Sequence, residues 1–97
     1  MEKIFYLNSL YDLYKELFTE KQQMYFEAYY FENLSLSEIA ENNDVSRNAI
    51  HNQIKIMEEK LEELESKLQL LKKREQVIKK LENKIDDKLL EEIKEII

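Results

Sequence analysis

The sequence predicts an all-α protein with one long helix and a helical C-terminal extension. Three observations carry this. None of its 97 residues is Gly or Pro, and tight hairpins and sharp turns lean on those two residues, so a β-rich fold is disfavoured. Charged residues make up 37% of the chain and hydrophobic ones 43%, with Leu, Ile, Glu and Lys abundant, the balance of long amphipathic helices. The apolar residues also recur at a helical period in every segment.

The first element spans residues 3–18, where Ile4, Leu7, Leu10, Tyr11, Tyr14, Leu17 and Phe18 give a broad apolar face. "TEKQ" then places Thr19 as an N-cap and Gln22 three residues on, a capping box that opens a second helix over about 20–31. Glu32 and Asn33 end it. "SLSE" repeats the pattern with Ser35 and Glu38 and opens a short third helix, about 36–42. "NND", Asn42 to Asp44, makes the next break, because Asn and Asp tolerate left-handed backbone better than other non-glycine residues. Ser46 caps a fourth helix.

Nothing obvious stops that helix before Lys72-Lys73-Arg74. Ile50, Ile54, Met57, Leu61, Leu64, Leu68 and Leu71 step by fours and threes, a coiled-coil repeat. A helix over 46–73 is about 42 Å long at roughly 1.5 Å per residue. Beyond it, Val77, Ile78, Leu81 and Ile85 form another apolar face, "NKIDD" reads as a loop or cap, and Leu89 to Ile97 make a last short helix. The division expected is a bundle at 1–57 and a packing or dimerisation extension at 58–97. The stripe Met57, Leu61, Leu64, Leu68 and Leu71 predicts a homodimer of about 24 kDa from a chain of 11.9 kDa, because a small bundle is expected to leave it uncovered.

Residues 34–55 have the parts of a helix-turn-helix. Ala40 is the small residue where the first helix packs, Leu36, Ile39, Val45, Ile50 and Ile54 supply apolar contacts, and "NND" supplies the turn. The N-terminal half of the second helix then faces the groove of DNA. With Ile50 and Ile54 inward, Arg47, Asn48, His51, Asn52 and Lys55 point outward beside the capping Ser46. Arg, Asn and His suit base edges, whereas Lys and Ser suit phosphates. The charge balance points the other way. The chain carries a net charge of -6, and Arg47 and Lys55 are the two cations of the acid-free stretch 45–57. Phosphate neutralisation supplies most non-specific DNA affinity, so the scaffold is intact but poorly equipped as an electrostatic clamp.

On these residues, "LSLSEIAENNDVSRNAI" resembles region 4 of bacterial sigma factors. Residues 1–71 are similar more closely to the YlxM family, small helical proteins encoded beside genes of the signal recognition particle. The resemblance implies a sigma-region-4-like helix-turn-helix bundle, a tendency to dimerise, and a regulatory or accessory role linked to that particle's pathway. Two positions depart from the usual pattern: Asn43 stands where an apolar residue is common and Asp44 where Gly is common.

Other features have bland readings. The aromatics Tyr6, Tyr11, Tyr14, Tyr25, Phe26, Tyr29, Tyr30 and Phe31 sit at helical spacing and read as core rather than as a stacking platform for RNA. "KKR" at 72–74 reads as a solvated helix end, with phosphate contact as the sharper alternative. Enzymatic chemistry finds no support: there is one His and no Cys, Ser46 and His51 lie about 140° apart around one helix, and no cofactor, metal or small-molecule substrate is expected. No stretch approaches the roughly 20 apolar residues of a membrane span, so no membrane insertion is expected and the protein is expected in the cytoplasm. DNA and components of the signal recognition particle are the candidate partners.

Overall fold

The computed structural model describes residues 2–97, and among these there are helices and no strands. Helix α1 is Lys3–Tyr14, followed by a 3-10 turn at Lys15–Leu17; α2 is Glu20–Tyr30, α3 Leu36–Asn42, α4 Arg47–Leu68, α5 Leu70–Leu81 and α6 Asp87–Ile96. The first helix is thus shorter than its apolar period suggested, tightening into the 3-10 turn before Phe18.

The side-chain caps fall where the sequence placed them. Thr19 Oγ1 accepts from the Gln22 N–H at 3.1 Å while the Gln22 side chain accepts from the Thr19 N–H at 3.1 Å. Ser35 and Glu38 repeat this reciprocal pair. Each box satisfies two backbone groups that the first turn leaves without partners. Asp86 caps α6 through the Leu89 N–H at 2.7 Å.

α4 is the spine. Its Ile50 and Ile54 pack with Tyr25, Ala28, Ile39 and Ala40 from α2 and α3. Further along, its Met57 and Leu61 pack with Leu7, Leu10, Tyr11 and Tyr14 of α1, and with Phe18, Phe26 and Leu71. Tyr11 and Phe26 stack with ring centroids 4.2 Å apart. Most of the aromatic series is therefore core, with Phe31 left largely exposed. Residues 57 and 58 both lie inside α4, so the spine runs unbroken through the boundary expected between bundle and extension.

Two expectations are corrected by this packing. The coiled-coil stripe is closed mostly within the chain: Met57 and Leu61 are fully buried, Leu71 is buried, and Leu64 packs against the same cluster. The reason is α1, whose twelve residues span about 18 Å, long enough to lie along α4. Only Leu68, at 46% exposure, stays outside.

The second correction concerns the length of the long helix. α4 ends at Leu68, and Gln69 adopts φ 55° and ψ 33°, the left-handed region, before α5 begins at Leu70. A side chain with a Cβ pays roughly 1–2 kcal/mol there, so something must hold the bend. Glu65 and Tyr14 do. Glu65 is 8% exposed; its Oε1 accepts from the Tyr14 hydroxyl at 2.7 Å and the Leu71 N–H at 3.1 Å, and its Oε2 accepts from the Lys72 N–H at 3.1 Å. The Tyr14 oxygen in turn accepts from the Leu70 N–H at 3.2 Å. All three leading amide donors of α5 are satisfied, and a carboxylate sits at the positive end of its dipole. Burial and the Glu65 hydrogen bond together push the Tyr14 phenol above its ordinary value.

The α5–α6 arm makes the molecule elongated. Its radius of gyration is 16.3 Å, against about 12.5 Å for a compact chain of this length.

Candidate nucleic-acid interface

The turn between α3 and α4 is built without glycine. Asp44 takes φ 56°, the Val45 N–H donates to the Ala40 carbonyl at 3.1 Å, and the Asp44 N–H reaches the Glu41 carbonyl at 3.4 Å. These are the two bonds of a Schellman cap, with Asp in the place where Gly is usual. Asn43 explains its own position: its Nδ2 donates to the Ile39 carbonyl at 2.8 Å, sealing another free carbonyl of α3. The two departures in the motif are therefore local chemistry that makes the turn.

Ser46 starts α4, its Oγ accepting from the Ala49 N–H at 3.1 Å. That role employs the hydroxyl in folding. Beyond it Arg47, Asn48, His51, Asn52 and Lys55 are all exposed, and Ile50 and Ile54 are buried. At about 100° per residue the five polar side chains fill an arc of roughly 140°. The structure brings them together on the open side of the second helix of the motif. The ion pairs among the described residues are Lys67–Glu63 and Lys94–Glu91, so neither Arg47 nor Lys55 is tied to a carboxylate.

Two depressions flank this arc. One, of about 670 Å³, is lined by Thr19, Lys21 and Gln22 at the start of α2 together with Ala49, Asn52, Gln53 and Ile56 of α4. The Gln22 and Gln53 amides meet across it at 3.4 Å. Lys21 is thereby a third cation beside the arc, which sequence reasoning missed because only the α2–α4 packing brings it there. The other depression, about 500 Å³, joins Ser46 and Arg47 to Glu41 and Asp44. Carboxylates thus stand on one side of the arc and a lysine on the other. Glu38 nearby is held below the ordinary carboxylate range by its hydrogen bonds to Ser35.

The remaining sequence candidates lie elsewhere. Met57, Leu61 and Leu71 are interior, Leu64 is half-buried, and Leu68 is exposed at the end of α4. Glu65, four residues after Leu61 and so on the apolar face of α4 by helical spacing, is the buried cap of α5; sequence reasoning did not single it out. Among the described residues no group of three or more His, Cys, Asp or Glu is placed to hold a metal ion, and no helix is long and apolar enough to cross a membrane.

Known proteins resemble this chain over much of its length. A family profile described as "Putative helix-turn-helix protein, YlxM / p13 like", UPF0122, matches residues 1–97. UPF0122 proteins of Bacillus thuringiensis (strain Al Hakam) and Bacillus mycoides (strain KBAB4) are each 49% identical to it over 63 residues, 65% of this chain. A protein of the same description from Bacillus anthracis (strain A0248) matches to the same extent. The matched part spans 57% of the length of these relatives. The glycine-free turn, the capped second helix and the full-length family match agree, and the chain belongs to the UPF0122 family of YlxM/p13-like helix-turn-helix proteins.

Proposed function

We propose that this protein is a helix-turn-helix regulator that places the first two turns of α4 in a DNA major groove. One observation carries the reading: five polar side chains share an exposed arc at the capped start of α4, and none of its cations is paired among the described residues. An α-helix of about 10–12 Å diameter fits a groove about 12 Å wide. Asn48 and Asn52 are the base readers, Arg47 reaches a base or a phosphate, and Lys55 holds a phosphate. His51 lies between them.

The charge of the site favours a second reading. Glu41 and Asp44 share a depression with Arg47, a rim that repels phosphate and suits a basic protein. On this reading the module is an accessory docking factor of the signal recognition particle pathway, a link that rests on the family resemblance. A homodimer belongs to the proposal as well, since helix-turn-helix proteins commonly read paired half-sites. Leu68 and the neighbouring Leu70 are exposed apolar residues at the end of the stripe that a second copy could meet, among others such as Phe5, Leu17, Val77 and Ile96, and light scattering tests for it.

The two readings separate by salt dependence. If α4 grips DNA, Arg47→Gln or Lys55→Gln should each flatten the slope of log affinity against log salt by about 0.9. Asn48→Ala or Asn52→Ala should leave the slope alone and relax base preference by about 1–3 kcal/mol. Sequence-selected DNA that fails to bind below roughly 100 μM at about 0.15 M salt, with the same variants weakening capture of a basic protein partner, overturns the DNA reading.

A further inference from the structure

We propose that the outer face of α5 is a second, separate surface for a phosphodiester backbone, formed by Lys72, Lys73, Lys79 and Lys80 around Gln76. The inference goes beyond the reading of α4 and does not depend on it. In a chain of net charge -6, residues 66–81 hold six cations and one carboxylate, Glu75. At about 100° per residue the four lysines and Gln76 occupy roughly 120° of the helix, and Glu75 falls outside that arc. All five are exposed. None of the four lysines lies in an ion pair with a described residue, although the chain has 21 carboxylate side chains.

Folding does not account for Lys72 and Lys73. Arg74, next to them in sequence, is turned the other way, and its Nε donates to the Ile97 carbonyl at 3.0 Å at the C-terminal end of α6, where a cation suits the dipole. Lys72 and Lys73 have no such role. They stand in the first turn of α5, the positive end of the helix, where added cations are unfavourable. A solvated C-terminal helix end explains Lys79 and Lys80, but at Lys72 and Lys73 it predicts the wrong sign.

The chemistry of the arc selects its partner. Protein interfaces are depleted of lysine and centre on apolar or aromatic anchors, and this arc holds no apolar residue. The apolar side of α5 is only partly free, with Leu71 buried, Ile78 and Leu81 half-buried, and Leu70 and Val77 exposed, so a lipid surface, which would need that side, is tested against directly. Lys72 to Lys80 covers about 12 Å of helix, a length that meets successive phosphates of one strand. Four lysines around a single glutamine make mainly backbone contacts, which position a nucleic acid rather than read it.

The test uses the full chain with a 24-base-pair DNA duplex and an RNA duplex of the same sequence, titrated between 50 and 200 mM salt. For DNA, four backbone contacts contribute about 3.6 to the salt slope, a roughly 150-fold change in affinity over that range. Lys72→Gln/Lys73→Gln/Lys79→Gln/Lys80→Gln should remove that contribution. A control of equal charge, Lys3→Gln/Lys15→Gln/Lys60→Gln/Lys88→Gln, should retain it, as should Arg47→Gln/Lys55→Gln, which instead reports on α4. The pair Lys72→Gln/Lys73→Gln should weaken binding and raise the melting temperature together, since it removes cations from a helix start. A preference for the RNA or the DNA duplex identifies the source of the backbone, and equal binding identifies a contact with either. An unchanged slope in the α5 variant, or equal losses in the control, overturns the proposal. So does binding to vesicles containing phosphatidylserine with neither duplex bound.

Discussion

Replacing Glu65 by alanine removes the acceptor for three donors at once: the Tyr14 hydroxyl and the Leu71 and Lys72 amides. Glu65 is 8% exposed, so water does not substitute without some opening of the structure. At about 1 kcal/mol for each net hydrogen bond the direct loss is about 3 kcal/mol. Leaving all three donors buried and unpaired would cost more, at about 1–3 kcal/mol each. The protein limits this by letting α5 lift, which sacrifices the burial of Leu71 instead, worth about 1.5–3 kcal/mol. The expected destabilisation is therefore about 3 kcal/mol, a large part of the 5–15 kcal/mol typical of a domain. Urea melting followed by far-ultraviolet circular dichroism measures it. Native-state hydrogen exchange locates it, with Leu71 and Lys72 losing protection before Leu61. Tyr14→Phe in a double-mutant cycle with Glu65→Ala should show coupling of more than 0.5 kcal/mol, as for residues in one network. A Glu65→Ala protein within about 0.5 kcal/mol of the parent, with unchanged exchange at Leu71 and Lys72, refutes the claim that this carboxylate holds the bend.

Gln69→Gly should stabilise the protein by about 0.5–1 kcal/mol, because relief of the left-handed backbone exceeds the added freedom of the unfolded chain; a loss in urea midpoint would count against strain at Gln69. Alkaline pH should destabilise the fold. Burial and nearby carboxylates raise the phenols of Tyr11, Tyr14 and Tyr30 above the ordinary value of 10.0. Above about pH 10 the unfolded chain releases those protons while the folded one keeps them, so stability is full below that pH and falls as pH rises. Urea midpoints at pH 9 and 11 check this, and equal values would contradict it.

The parts of the fold legible in the sequence are those decided by neighbours in the chain. Thr19 with Gln22, Ser35 with Glu38, and Ser46 with Ala49 are all three residues apart, so the sequence displays both halves of each cap. The polar arc from Arg47 to Lys55 is likewise a matter of helical period. The bend at Gln69 is decided by Tyr14 acting on Glu65, 51 positions away, while Leu64, Leu68 and Leu71 keep a repeat that runs straight across it. Lys21 reaches the flank of the site by the same kind of distant packing. The burial of the stripe on α1 was hidden for a related reason: the pattern shows that α4 needs a partner, but not whether that partner lies in the same chain.

The joint at Gln69 also imposes an order of assembly. Its two holding groups come from different helices, and Tyr14 reaches Glu65 only once α1 lies along α4. Until then the start of α5 has a repeat that favours continuing α4 in a straight line, and the left-handed turn has nothing to offset its strain. The corner therefore closes after the helical pair that supports it, and pulse-labelled refolding should find Leu71 and Lys72 protected later than Leu61. A protein made from its N-terminus has α1 waiting when Glu65 leaves the ribosome, so synthesis presents the parts in the sequence the corner needs.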